Sequence, residues 1–126
     1  MNDLSQAKIL LVDDKPEKLL ALEAVLEDLG QQIVRAYSGR DALRCLLNED
    51  FAVILLDVNM PGMDGFETAS LIRELPELER LPIIALTAKA MKGDREKAIA
   101  AGASDYITKP VDSDQLISLL RVWLYE

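Results

Sequence analysis

The sequence has no histidine and only one cysteine, Cys45, among its 126 residues. Without histidine the chain cannot carry a phosphoryl group on an imidazole, and with one cysteine it cannot form an internal disulfide. The longest wholly apolar run, Phe51 to Leu56, is far too short to span a bilayer, and no basic N-terminal region indicates a signal peptide. We therefore expect a cytoplasmic protein that makes no use of a membrane.

Positive charge is also scarce, since 14 Lys and Arg face 22 Asp and Glu and leave a net charge of −8. Such a surface repels phosphate backbones and anionic lipids, so direct binding to nucleic acid is not expected. Half of the residues are apolar and 29% are charged, which is typical of a folded globular domain. The length fits one domain, and we expect a single domain over residues 1–126 with its core at about 7–125.

Short β-branched or leucine-rich runs alternate with longer amphipathic stretches along the chain. The runs predict five strands, at residues 8–12, 32–37, 51–56, 83–86 and 106–108, and the stretches between them predict helices that begin near residues 16, 38, 66, 94 and 112. This alternation is typical of an α/β domain with a parallel sheet. By analogy with doubly wound folds, we expect strand order 2-1-3-4-5 with helices on both faces.

Polar side chains follow or end four of the predicted strands. Asp13 and Asp14 follow strand 1, Asp57 follows strand 3, Thr87 follows strand 4 and Lys109 follows strand 5. In an open parallel sheet these ends share one edge, and ligands bind there where the winding direction reverses. The sequence therefore predicts a functional site made of these side chains.

Three carboxylates held together repel each other unless a cation balances their charge. Mg²⁺ prefers oxygen ligands, keeps several waters and commonly takes one or two carboxylates together with a phosphate oxygen. With the metal and Lys109 in place, Asp57 could attack phosphorus in line and form an acyl phosphate. The cluster thus predicts Mg²⁺-assisted phosphoryl transfer to a carboxylate.

The complete set of motifs resembles the receiver domains of two-component signalling, of the chemotaxis-regulator type. The resemblance spans essentially the whole sequence and rests on Asp13-Asp14, Asp57, the loop Met60-Pro61-Gly62-Met63-Asp64-Gly65, Thr87-Ala88, Tyr106 and Lys109-Pro110. It implies a flavodoxin-like (βα)5 fold. It also implies a phosphoacceptor switch that assists its own phosphorylation and slow self-dephosphorylation, without turnover of a separate substrate.

The resemblance implies a metal site with assigned ligands. Asp57 would be the phosphoacceptor, and Asp14, Asp57 and the backbone carbonyl of Asn59 would bind Mg²⁺, or Mn²⁺ as a substitute. Asp13 would act mainly through a water molecule.

The resemblance also implies a set of switch residues. Thr87 would donate a hydrogen bond to a phosphoryl oxygen, Tyr106 would turn inward to fill the vacated space, and Lys109 would hold the phosphoryl group. Asn59 and Lys89 would flank the attack path and tune self-hydrolysis. The output surface would consist of helix 4, strand 5 and helix 5.

Partners follow from the same resemblance. Because the chain lacks histidine, the phosphoryl donor would be a separate histidine kinase or histidine phosphotransfer domain. The response would reach a downstream protein or a fused output domain. Leu119 and Val122 lie off the main apolar face of the last helix, and we expect them to join a partner contact or a phosphorylation-dependent homodimer there.

Simpler interpretations exist for each residue alone. Asp13 or Asp14 could be a helix N-cap, Thr87 a strand-end hydroxyl and Tyr106 a half-buried strand aromatic. Two alternatives for the whole chain also remain. A magnesium phosphatase of the haloacid dehalogenase type needs a second acid two residues after its nucleophile, where this chain has Asn59. A binding module that has lost phosphorylation would not need the complete residue set.

Overall fold

The structure is a computed structural model that describes residues 8–87 and 93–125. Its elements are β1 Lys8–Val12, α1 Pro16–Leu26, β2 Gln32–Ala36, α2 Gly39–Asn48, β3 Val53–Asp57, α3 Gly65–Arg73, β4 Ile83–Thr87, α4 Asp94–Ala101, β5 Asp105–Thr108 and α5 Ser113–Tyr125. Short 3-10 turns follow α1 at Glu27–Leu29 and α3 at Pro76–Leu78. The predicted alternation of strands and helices is confirmed, and strand boundaries move by only one or two residues.

All five strands pair in parallel, in the order β2-β1-β3-β4-β5. This is the order expected from the fold analogy. The register places Val12 opposite Leu56 and Thr87 opposite Thr108. Because parallel strands all point the same way, the residues at their carboxyl ends meet along one edge of the sheet.

Helices cover both faces of the sheet, and alternate strand residues contribute to two separate cores. One core, here called the α1–α5 core, packs the sheet against buried residues of α1 and α5, namely Leu19, Leu22, Leu26, Leu116, Leu120 and Leu124. The other, here called the α2–α4 core, packs it against smaller residues of α2, α3 and α4, namely Ala42, Leu46, Ala69, Ile72 and Ala98. The three central strands are nearly inaccessible as a result.

Helix α5 requires one correction. Leu119, expected outside the main apolar face, packs partly against the α1–α5 core. The reason is helical spacing, because contacts recur every three or four residues along a core-facing stripe made of Leu116, Leu119, Leu120, Trp123 and Leu124. Val122 is 54% exposed, in agreement with its expected place off this face.

Side chains cap the starts of α2 and α5. Ser38 Oγ accepts a hydrogen bond of 3.0 Å from the backbone N–H of Asp41, and the Asp112 carboxylate accepts one of 3.1 Å from that of Gln115. None of the helices within the described part of the chain is long and apolar enough to cross a membrane.

Candidate functional site

Three carboxylates meet at the carboxyl edge of the sheet, between β1 and β3. Asp13 and Asp14 directly follow β1, and Asp57 is the last residue of β3. One carboxylate oxygen from each residue lies within 4.8 Å of the other two. Because β1 and β3 are hydrogen-bonded neighbours, the sheet register itself brings these acids together. The clustering predicted from the sequence is therefore present.

Asp57 is 1% exposed, and its Oδ1 accepts two hydrogen bonds. Lys109 Nζ donates one at 2.6 Å and the backbone N–H of Asn59 donates the other at 3.0 Å. Lys109 is positioned by its own N–H, which donates to the carbonyl of Thr87 at 2.8 Å. Such partners compensate the loss of solvation of a buried carboxylate. Among the described residues both hydrogen bonds go to Oδ1, which leaves Oδ2 for a ligand.

Asp13 is also buried, and its Oδ1 accepts a hydrogen bond of 3.0 Å from the backbone N–H of Lys15. Burial raises the pKa of the Asp13 carboxyl above its usual value, and the negative charge of Asp57 raises it further, while the Lys15 hydrogen bond opposes both effects. The negative charge of the cluster therefore costs free energy in the folded protein. A cation bound there would lower that cost.

The donor set fits a hard divalent cation. Carboxylate oxygens are the ligands that Mg²⁺ prefers, and two of the three acids, Asp13 and Asp57, are buried side chains, unlike ordinary surface acids. Asp14 is only half-buried, so the cluster remains accessible from one side. The residues present could thus hold Mg²⁺ and leave room for water or a phosphoryl oxygen.

The loop after β3 returns closely to the strand that it leaves. The N–H of Gly65 donates to the carbonyl of Val58 at 3.3 Å, and a Cβ at position 65 would lie 2.5 Å from the carbonyl oxygen of Asp57 and collide with Val58. Only glycine permits this approach. Asn59 is exposed, and it contacts the site through its N–H; its carbonyl as a metal ligand stays a prediction.

Thr87 is completely buried at the end of β4. Its Oγ1 donates a long hydrogen bond of 3.4 Å to the carbonyl of Ile107 on β5. The hydroxyl is therefore directed to the neighbouring strand in this structure. This contact agrees with the simpler interpretation of a satisfied strand-end hydroxyl, and the proposed bond to a phosphoryl oxygen stays a prediction.

Tyr106 lies on β5 and is half-buried against the α2–α4 core. The guanidinium carbon of Arg95, on α4, lies 5.9 Å from the centre of its ring. That distance permits a cation–π contact. The inward rotation of Tyr106 stays a prediction, and Lys89 lies outside the described residues.

A cavity of about 300 Å³ adjoins the acid cluster. Apart from charged residues at one end, its walls are apolar and come from α1, β4 and the segment after β5; the lining residues are Asp13, Lys18, Ala21, Leu22, Val25, Leu86, Lys109, Pro110 and Val111. Sequence reasoning missed Lys18 as a neighbour of the site. Its position four residues after Asp14, in the first turn of the predicted helix, was the available signal.

Comparisons with known proteins identify relatives of this chain. A sequence model of the response regulator receiver domain matches residues 9–121. The chain is 46% identical over 121 residues to the "Uncharacterized 14.6 kDa protein in sodA1 3′region" of Leptolyngbya boryana, covering 96% of this chain and 92% of that protein. It is 41% identical over 112 residues to the signal transduction histidine-protein kinase BarA of Escherichia coli, covering 89% of this chain but 12% of the kinase.

A solved structure extends the comparison to a metal. The receiver domain of sensor histidine kinase PA1611 from Pseudomonas aeruginosa PAO1 is 36% identical, with a TM-score of 0.87, over 96% of this chain and 99% of that one. That structure has a magnesium ion coordinated in its active-site cleft.

Proposed function

The chain belongs to the receiver domain family of response regulators in two-component systems, and we propose that it accepts a phosphoryl group on Asp57 and then changes the surface it offers to a partner. The observation that carries this proposal is the set of contacts that the Asp57 carboxylate makes. Its Oδ1 is held by Lys109 and Asn59, the carboxylate as a whole clusters with Asp13 and Asp14, and its Oδ2 accepts no hydrogen bond from the described residues. Such an oxygen is a positioned nucleophile.

The transfer needs a phosphohistidine donor on another protein, because this chain has no histidine. Oδ2 of Asp57 forms a bond to phosphorus as the phosphorus–nitrogen bond breaks, and the imidazole leaves with the electron pair. The N–H of Asn59 keeps the carboxylate oriented, and Lys109 neutralises a phosphoryl oxygen. Mg²⁺ bound by Asp14, Asp57 and the Asn59 carbonyl, with Asp13 acting through water, would supply further positive charge to the phosphoryl oxygens.

The response begins at Thr87. Its hydroxyl would exchange the long hydrogen bond to Ile107 for a bond to a phosphoryl oxygen, and Tyr106 would turn inward beside it. A phosphoryl group shifts the population only because it binds one of the two arrangements better. The surface that changes would comprise α4, β5 and α5.

Receiver domains are generally switches, and the position of Asn59 argues against a haloacid dehalogenase-type phosphatase here. Such an enzyme would place a carboxylate two residues after Asp57, and this chain has an exposed amide there. The complete set of acids and Lys109 likewise argues against a binding module without phosphorylation.

We infer that a histidine kinase or a histidine phosphotransfer domain is the donor, and that a downstream protein or a fused domain receives the signal. The matched relatives include both arrangements, since the chain spans 92% of the Leptolyngbya boryana protein and 12% of BarA. A single domain over residues 1–126 and a phosphorylation-dependent homodimer through the exposed Val122 also remain proposals.

Intact-mass measurement after incubation with phosphoramidate, with and without Mg²⁺, tests the proposal. We expect the wild type to gain the mass of one phosphoryl group in a Mg²⁺-dependent manner, and Asp57→Asn to gain none. Asp64→Asn is the matched control, because Asp64 only caps α3 and asparagine caps equally well. Labelling of Asp57→Asn at the wild-type rate would show that the acceptor is wrongly assigned.

A further inference from the structure

The C-terminal end of α4 is held by Arg73 of α3. The Arg73 guanidinium donates hydrogen bonds of 2.8 Å to the carbonyl of Gly102, 2.9 Å to that of Leu78 and 3.2 Å to Ser104 Oγ. Ser104 Oγ in turn accepts a hydrogen bond of 3.0 Å from the N–H of Ile83. These contacts join the end of α4 to α3 and to the start of β4.

Gly102 makes this junction tight. Its φ is +107°, and a Cβ there would lie 2.5 Å from Cγ of Arg73. Both facts favour glycine, because the conformation is strained for other residues and the arginine stem occupies the space of a side chain. We call Arg73, Gly102 and Ser104 the Arg73 clasp. It fixes one end of α4.

The N-terminal end of α4 has different contacts. Its N-cap is Gly93, with φ of 96° and no side chain to cap the helix. Arg95 follows in the first turn and is exposed, although a cation is unfavourable near the positive end of a helix dipole. Its guanidinium lies 5.9 Å from the ring centre of Tyr106. This contact offsets the unfavourable position and links the helix end to the ring.

We propose that Arg95 is a positioning residue that holds Tyr106 towards α4 in the unphosphorylated protein. The proposal rests on the proposed function, in which Tyr106 turns inward beside Thr87. In this proposal the ring leaves Arg95 when it fills the space beside Thr87, so that the two positions are alternatives. Because the Arg73 clasp holds the C-terminal end of α4, the helix does not shift with the ring as a whole, and inward rotation breaks the Arg95 contact.

The contact therefore sets how often the inward arrangement occurs. An exposed cation–π contact favours the resting arrangement by about two- to fivefold. A phosphoryl analogue that needs the inward arrangement binds more weakly by up to the same factor, because apparent affinity falls with the population of the competent state. Replacing Arg95 should therefore raise the apparent affinity for the analogue by that factor.

Fluorine NMR and an analogue titration test this proposal. The protein is labelled with 3-fluorotyrosine, and the signal of Tyr106 among the three tyrosines is assigned with Tyr106→Phe. Beryllofluoride is then titrated in Mg²⁺. We expect Arg95→Ala to shift the resting Tyr106 signal towards its bound position and to lower the half-saturating beryllofluoride concentration by about two- to fivefold. Arg95→Lys should restore part of the wild-type behaviour.

Lys97→Ala is the matched control, because it removes an exposed cation from the same helix. It should change neither readout, and Arg95→Ala should have no effect on the titration in a Tyr106→Leu background. An equal effect of the two alanine variants, or an undiminished effect without the ring, would assign the result to net charge and overturn the proposal.

Failure of the proposed function would look different. In that case the wild type would not bind beryllofluoride in Mg²⁺ at all. The resting Tyr106 signal would still decide whether Arg95 positions the ring, since Arg95→Ala should move it and Lys97→Ala should not.

Discussion

The acid cluster and helix α4 are supported very differently. The cluster is attached to β1 and β3, whose side chains are almost entirely buried, and Asp57 itself is 1% exposed. Among the described residues of α4, Ala98 is buried whereas Ile99 is 51% exposed. Chemistry needs fixed geometry, while a response needs a part that can move at low cost. Under the proposed function, the two regions would meet these opposite needs.

Of the differences predicted here, the largest should be the difference in amide hydrogen exchange rates between the two regions. We expect amides of β1 and β3 to exchange about a thousandfold more slowly than those of α4, because the central strands open only with global unfolding whereas a weakly packed helix opens locally. Site-resolved exchange in the metal-free protein measures this. Equal protection would mean that α4 is not the looser region, and the comparison would fail.

Lys109→Met should destabilise the region around the acid cluster, because it removes the positive charge beside Asp57. We expect the free energy of unfolding of the metal-free protein to fall by about 3 kcal/mol, because a buried carboxylate loses its partner. Urea unfolding at neutral pH measures the change. Lys97→Met, which removes an exposed cation of α4, should change stability little.

The Lys109 effect should also depend on its partner. In an Asp57→Asn background the cost of Lys109→Met should shrink, since no charge is then left unpaired. A cost that remained unchanged would mean that Lys109 stabilises the fold through its packing and not through Asp57.

Asp13→Asn should have a smaller effect of the opposite sign. Asparagine keeps an oxygen for the Lys15 N–H and removes a buried charge, so the metal-free protein should gain about 1 kcal/mol at neutral pH. Because the folded pKa of Asp13 is raised, its favourable contribution is present at acid pH and is lost as pH rises through that pKa. The stability gained by Asp13→Asn should therefore appear as the pH rises through the folded pKa of Asp13.

Thermal or urea unfolding of wild type and Asp13→Asn across pH measures this gain. Added Mg²⁺ should reduce it, because a bound cation offsets the same repulsion. A variant less stable than wild type at neutral pH would show that the Asp13 charge does not strain the metal-free site.

The sequence was sufficient to predict the strands, the edge where polar residues gather and the three acids. Each of these follows from a local pattern, since an apolar run that stops at Asp13 or Asp57 indicates both a strand and its end. The Arg73 clasp was missed because Arg73 meets residues 29 and 31 positions away. The direction of the Thr87 hydroxyl also depends on a contact between strands. No local pattern encodes either contact.

The unequal oxygens of Asp57 have a consequence for the lifetime of the proposed phosphorylated form. If Oδ2 takes the phosphoryl group, Oδ1 becomes the carbonyl oxygen of a mixed anhydride and keeps the Asn59 N–H as its donor. That bond draws electrons from the carbonyl and makes the carboxylate a better leaving group when water attacks phosphorus. The contact that aims the acceptor would therefore also hasten its return to the free acid.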